Sequence, residues 1–279
     1  MSKFKMTAIA LGVMTSLGLS AGAYAQASAK RYEAYQRAPT TPAPADSSLA
    51  MPAYVMAAVA NPARPDEDKA RDHDRKPAEV VAFSGVKPGD TVVDLIPGGG
   101  YFTRIFDSVV GPHGQVIAFV PQALAAAYPA AVTAAQAIPK TPAYSDVKVV
   151  VEPFSDLTAH GPLDVVWTSQ NYHDLHGPKL PPTTALMMDR LIFSALRPGG
   201  VFIVEDHAAE TSSGLRDAGT LHRIAQGAVR EEVESAGFVF DGESPVLHNA
   251  ADDHTKKVFD PAIRGHTDQF VLKFRKPAA

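Results

Sequence analysis

Residues 91–100 read Thr91-Val92-Val93-Asp94-Leu95-Ile96-Pro97-Gly98-Gly99-Gly100. The first six are β-branched or apolar apart from one acid, which predicts a strand buried on both faces. Three glycines follow, and then Phe102, Ile105, Phe106 and Val109 recur at helical spacing. Strand, glycine turn and helix in that order make a ligand-binding turn. Glycine permits the sharp bend and lets a ligand approach the backbone. The N–H groups at the helix start then face any bound polar group.

Working outward, strands are expected at 115–120, 147–151, 163–168, 201–204, 238–240 and 269–274. Helices are expected at 76–84, 124–137, 184–196 and 225–236. Strands separated by helices imply βαβ units, hence an α/β, doubly wound, mainly parallel, seven-stranded sheet of Rossmann-like type. The last two strands, joined by a long loop, suggest a hairpin and so an antiparallel C-terminal strand.

The chain has 279 residues, a formal net charge of −4 and no cysteine. Disulfides, thiolate metal sites and a cysteine nucleophile are therefore excluded. Mild acidity gives no electrostatic footprint for nucleic acid. Residues 1–25 read as a cleaved signal peptide, with Lys3 and Lys5, a short apolar stretch and Ala23-Tyr24-Ala25 at the cleavage point. The expected location is periplasmic or secreted. The apolar stretch is too short and too broken for a membrane span of about 20 residues. Residues 26–60 are expected to be a largely disordered linker ending in a short docking helix at 51–60. The domain proper is expected at 61–279. Its alternating charges at 64–76 read as a solvated helix face.

The run from Asp94 to Gly100 resembles the first motif of class I S-adenosylmethionine-dependent methyltransferases. Leu196-Arg197-Pro198-Gly199-Gly200-Val201 before the fifth strand is similar to a common phrase of that family. A bacterial group of signal-bearing predicted methyltransferases is more similar still, through stretches 71–77, 169–174, 204–207 and 259–265. The resemblance implies S-adenosylmethionine as cofactor and a seven-stranded fold of class I methyltransferase type. It implies that Gly98, Gly99 and Gly100 approach the cofactor and that Asp94 orients its amino group or a water near it. It places Asp156 at the adenine, with Phe154 as an apolar wall. An acid that usually holds the ribose after the second strand is missing, since no Asp or Glu occurs between Ser108 and Ser145. Gln122 stands there instead, and a neutral bond is roughly half as strong as a charge-assisted one.

In open parallel sheets, ligands bind beyond the carboxyl ends of the strands. Asn171, Tyr172, His173 and Asp174 follow the fourth strand; Glu205, Asp206 and His207 follow the fifth. Histidine titrates near neutrality and suits removal of a substrate proton. His173 is the first candidate base, His207 the second, with Asp174 as the orienting acid and His222 a weaker third candidate. Asn171, Tyr172 and Asp206 are candidates for substrate binding. The loop at 260–269, with Arg264 and His266, is a candidate lid. A metal set of Asp174, His176, Asp206 and His207 is conceivable, but no HExxH spacing supports it, and no metal is assigned. No serine lies within the glycine turn, which excludes a nucleophile elbow there. The expected function is methyl transfer to a small molecule. A non-catalytic ligand-binding protein or a lyase on the same fold are the alternatives.

Overall fold

The structure, a computed structural model, describes residues 51–178 and 180–278. The expected signal peptide, and the linker up to residue 50, lie outside the described residues. Helix α1 (Ala53–Val59) follows, with Val55 and Ala58 buried in the core. The domain therefore begins by residue 53, earlier than the boundary expected at 61.

After α1, single helical turns at Asp66–Lys69 and Asp72–Arg75 lead to α2 (Pro77–Ser84), whose first position is proline. Then come β1 (Thr91–Leu95), α3 (Tyr101–Val110) and β2 (Gln115–Pro121). The alanine-rich stretch expected as one helix divides into a turn at Gln122–Ala125 and helix α4 (Pro129–Ala137). Proline is tolerated in a first helical turn but not inside a helix, so Pro129 opens a new one. The remaining elements are β3 (Lys148–Glu152), β4 (Leu163–Ser169), α5 (Thr184–Ala195), β5 (Leu196–His207), α6 (Gln226–Ser235), β6 (Val239–Ser244) and β7 (Gln269–Arg275).

The sheet has the order β3-β2-β1-β4-β5-β7-β6. The β1–β2, β1–β4, β2–β3 and β4–β5 pairs are parallel. Only β7 runs against its neighbours β5 and β6. The doubly wound sheet and the antiparallel final strand agree with the sequence reading.

Alternate strand residues serve opposite helical layers, as the period of two requires. Val93 and Leu95 pack with Met188, Ile192, Val229 and Val233 under α5 and α6. Val92 packs on the other face with Val80, Phe102, Ile105 and Phe106 from α2 and α3. Trp167 of β4 is fully buried in that second layer, its ring 4.6 Å from that of Phe102.

β5 is longer than the expected 201–204. It starts at Leu196, with a register shift opposite Leu163–Val165, and continues through Glu205, Asp206 and His207, which pair with Val271, Phe270 and Gln269. These polar residues are thus the last rungs of a central strand and lie at the ligand-binding end of the sheet.

Candidate active site at the carboxyl ends of the strands

The glycine turn sits beside the switch in strand order between β1 and β4. Ile96 and Gly98 adopt left-handed conformations (φ 59° and 55°), and Gly100 does so at 83°. A Cβ added at Gly98 or Gly99 would meet nothing within 4 Å, so the turn has an open face there. Gly100 differs: a Cβ would overlap the Ile138 side chain. Its smallness is required by packing against Ile138.

Asp94 is 3% exposed and accepts a hydrogen bond from Thr103 Oγ1 at 2.6 Å. Burial pushes its carboxyl up to about 7. The bond from Thr103 braces the first turn of α3. Thr103, standing where a dinucleotide fingerprint has its third glycine, is the donor in that brace.

At the end of β2, Gln122 is exposed. The next strand brings Glu152 level with Pro121, but its Oε2 lies 2.7 Å from His160 Nε2. Asp156 is exposed and accepts from Ser155 Oγ at 3.0 Å, while Phe154 is buried in the core.

The polar cluster converges on Asp206. This carboxylate is fully buried and accepts from the His173 backbone N–H at 2.8 Å and from the His207 N–H at 2.7 Å. His173 Nδ1 lies 2.8 Å from its Oδ1. Burial opposes charge on Asp206, but His173 outweighs it and holds the carboxyl below its usual range. The same pairing, against burial, raises the His173 imidazole. His173 Nε2 faces Asp174 Oδ1 at 3.5 Å and His222 Nδ1 at 3.3 Å. Burial raises the Asp174 carboxyl and lowers the His222 imidazole.

His222 reaches His173 because its turn is pinned on both sides. Arg223 is fully buried, pairs with Asp252 at 2.8 Å and donates to the carbonyls of Ala208 and Lys256. The Ile224 N–H donates to His207 O at 3.0 Å.

Two expected substrate ligands are not available. Tyr172 is fully buried and its hydroxyl donates to Asp189 Oδ2 at 2.8 Å. Asp206 is spent on its three donors. Asn171 uses its amide to donate to Ile96 O and Ser169 O, tying the β4 loop to the glycine turn. The conceivable four-residue metal set does not assemble, because His176 Nε2 turns to Glu232 at 2.9 Å and His207 Nδ1 to Thr267 Oγ1 at 2.8 Å.

The charged stretch at 64–76 is solvated on one side, where Asp66, Glu67, Arg71, His73 and Lys76 are exposed, and paired within the fold on the other. Arg64 is 2% exposed and forms a two-pronged pair with Asp72, which also accepts from Tyr101 Oη at 2.7 Å. Arg104 reaches Asp68 at 2.7 Å. Arg75 donates to Ser169 Oγ at 2.6 Å and lies over the Tyr101 ring at 4.5 Å. This segment has no apolar stripe, and that was the available sign that its charges needed partners within the fold.

Between this segment and the β6–β7 loop lies a cavity of about 280 Å³, lined by Arg71, Arg75, Gln170, His207, Phe259 and Arg264 among others. Burial pushes the His207 imidazole down to about 4, so it is neutral at pH 7. Of the two candidate bases, His207 lines the cavity; His173 lies behind it, with ring centroids 6.1 Å apart. Of the expected lid at 260–269, Arg264, Gly265 and Gln269 line the cavity, beside Val258 and Phe259.

Comparison with solved structures gives an S-adenosylmethionine-dependent methyltransferase of Aquifex aeolicus at TM-score 0.53 and 17% identity, over 76% of this chain and 98% of that one. The fold is that of the class I methyltransferases. The N-methyltransferase NodS of Bradyrhizobium japonicum matches at TM-score 0.50 and 13% identity, over 76% of this chain and 99% of that one. The [4+2]-cyclase SpnF matches at TM-score 0.53 and 19% identity, over 74% and 81%. The methyltransferase fold thus carries more than one kind of chemistry. In sequence, a 38-residue stretch is 47% identical to the ubiquinone/menaquinone biosynthesis C-methyltransferase UbiE of Ectopseudomonas mendocina. That stretch spans 14% of this chain and 15% of the enzyme's length. No family model matches the chain.

Proposed function

We propose that this chain is an S-adenosylmethionine-dependent methyltransferase acting on a small molecule. The observation that carries the proposal is the open Gly98-Gly99 face of the turn between β1 and α3, at the strand ends of a class I methyltransferase sheet. Gly98 and Gly99 would lie against the cofactor, with Asp156 and Gln122 as its outer polar contacts. The bound cofactor supplies a methyl group on a sulfonium, ready for direct displacement. The chain's own work is alignment and proton removal. The 280 Å³ cavity takes the acceptor. His207 is neutral; in the tautomer in which Nδ1 donates to Thr267 Oγ1, 2.8 Å away, the Nε2 lone pair is left for the acceptor's proton. His173 and Asp206 hold the wall behind it.

Titration calorimetry with S-adenosylhomocysteine tests the reading. One site per chain is expected, and absence of heat at millimolar ligand overturns it.

We propose in addition that the protein is exported, on the strength of Lys3, Lys5, the apolar stretch and Ala23-Tyr24-Ala25. Cell fractionation with N-terminal sequencing should find it outside the cytoplasm, starting at Gln26.

A further inference from the structure

Three side-chain atoms near the cavity stand in an unusual relation. His173 Nε2, Asp174 Oδ1 and His222 Nδ1 are separated by 3.3, 3.5 and 3.6 Å. Good N–H···O hydrogen bonds run at about 2.7–3.2 Å, so these contacts are long for that purpose. They match another spacing. A tetrahedral ion with bonds of about 2.1 Å keeps its ligand atoms about 3.4 Å apart. The triangle is nearly equilateral, and all three sides agree with that edge.

We propose that His173, Asp174 and His222 bind a divalent first-row transition-metal cation. The surroundings carry the argument beyond spacing. Asp206 lies 2.8 Å from the other nitrogen of His173, the carboxylate–histidine arrangement that fixes the tautomer and leaves Nε2 as the ligand atom. Two carboxylates, Asp174 and Asp206, thereby face one imidazole, a local excess of negative charge that a cation balances. Lys257 acts on His222 in the opposite sense. The His222 backbone is held in the left-handed region at φ 56°, a conformation that costs free energy in a non-glycine residue. The anchored Arg223 maintains it. Two imidazoles and one carboxylate suit zinc, iron, cobalt or manganese and leave coordination positions open.

The site adjoins the acceptor cavity. Phe259 lines that cavity and its ring lies 4.8 Å from that of His222, while His207 lines it from the other side of His173. An acceptor oxygen or nitrogen in the cavity is thus close to the open positions. This inference goes beyond the methyltransferase reading and stands without it, since cation binding needs no cofactor.

The test is titration of the chelator-treated full chain with cobalt(II), read by visible absorption and calorimetry. One cobalt per chain is expected, with the intense visible bands of a low-coordinate nitrogen–oxygen site. His222→Asn, chosen because asparagine tolerates the left-handed backbone, and Asp174→Asn should each weaken binding by roughly tenfold or more. Asp206→Asn removes no ligand and should weaken it by roughly 10- to 100-fold. Circular dichroism verifies the fold of each variant. His222 is partly exposed, so its variant remains informative if Asp174→Asn fails to fold. Absence of cobalt bands in the parent, or affinity unchanged in His222→Asn, overturns the proposal.

Discussion

The guanidinium of Arg75 lies 3.4 Å from the carboxylate of Glu205, a residue 130 positions further along the chain. Glu205 is fully buried, and burial raises its carboxyl against the opposing effect of Arg75. Removing one partner leaves the other stranded. Arg75→Ala should cost about 3 kcal/mol in urea unfolding. Adding Glu205→Gln to that variant should recover about 1–2 kcal/mol, because no buried charge then remains. Equal stability of the single and double variants would mean that the pair does not hold the segment.

Tyr172 gives a second prediction. Its hydroxyl serves Asp189, which is fully buried and whose carboxyl is pushed well above its ordinary range by burial. Tyr172→Phe should cost about 1–2 kcal/mol in stability. Binding of S-adenosylhomocysteine should be unchanged. Lost binding with intact stability would place Tyr172 at the cofactor site.

The three glycines should separate by substitution. Gly100→Ala meets Ile138 and a left-handed backbone, so a lowered melting temperature is expected. Gly99→Ala has neither obstacle. Its stability should stay within about 0.5 kcal/mol of the parent. Its affinity for S-adenosylhomocysteine should fall, because the new methyl group intrudes on the open face. Unchanged affinity in Gly99→Ala would move the ligand off this turn.

The fourth prediction concerns pH. Asp107 shares a hydrogen bond with Asp146, and burial first, then that neighbour, raises its carboxyl to about 7 from 3.8. The folded chain therefore holds this proton more tightly than the unfolded chain. Stability from this group is full below about pH 4 and is lost as pH rises toward 7. Asp107 is partly exposed, and solvent screening reduces the effect to about 1 kcal/mol. Asp107→Asn should raise the melting temperature at pH 8 and leave it unchanged at pH 3.5. A variant no more stable than the parent at pH 8 would exclude the shared proton.

Much of the fold was legible because β1, β2 and β4 are apolar runs whose burial on two faces leaves a continuous signature. The far end of β5 was not. Glu205, Asp206 and His207 look like loop residues until Arg75, His173 and Gln269 are seen beside them. The glycine turn was legible as a turn between strand and helix, but the packing within it was not, since Gly100 answers to Ile138 from a distant turn. His173 and Asp206 were both noticed. That one orients the other depends on a distance that no spacing encodes. The inward side of residues 64–76 was hidden for the same reason: Tyr101, Arg104, Ser169 and Glu205, partners of Asp72, Asp68 and Arg75, all lie later in the chain.

That order of partners has a consequence for how the protein is made. Contacts between residues far apart in sequence form late, because the entropy of closing the loop is lost before the contact repays it. A chain emerging N-terminus first exposes Arg64 to Arg75 long before β5 exists. Arg64 finds Asp72 within the segment, and Tyr101 and Arg104 arrive soon after, but Arg75 lacks its carboxylate partner until residue 205 has arrived. The Arg75–Glu205 clasp over the strand ends therefore closes after the segment's other ion pairs, and a chain interrupted before β5 cannot close it.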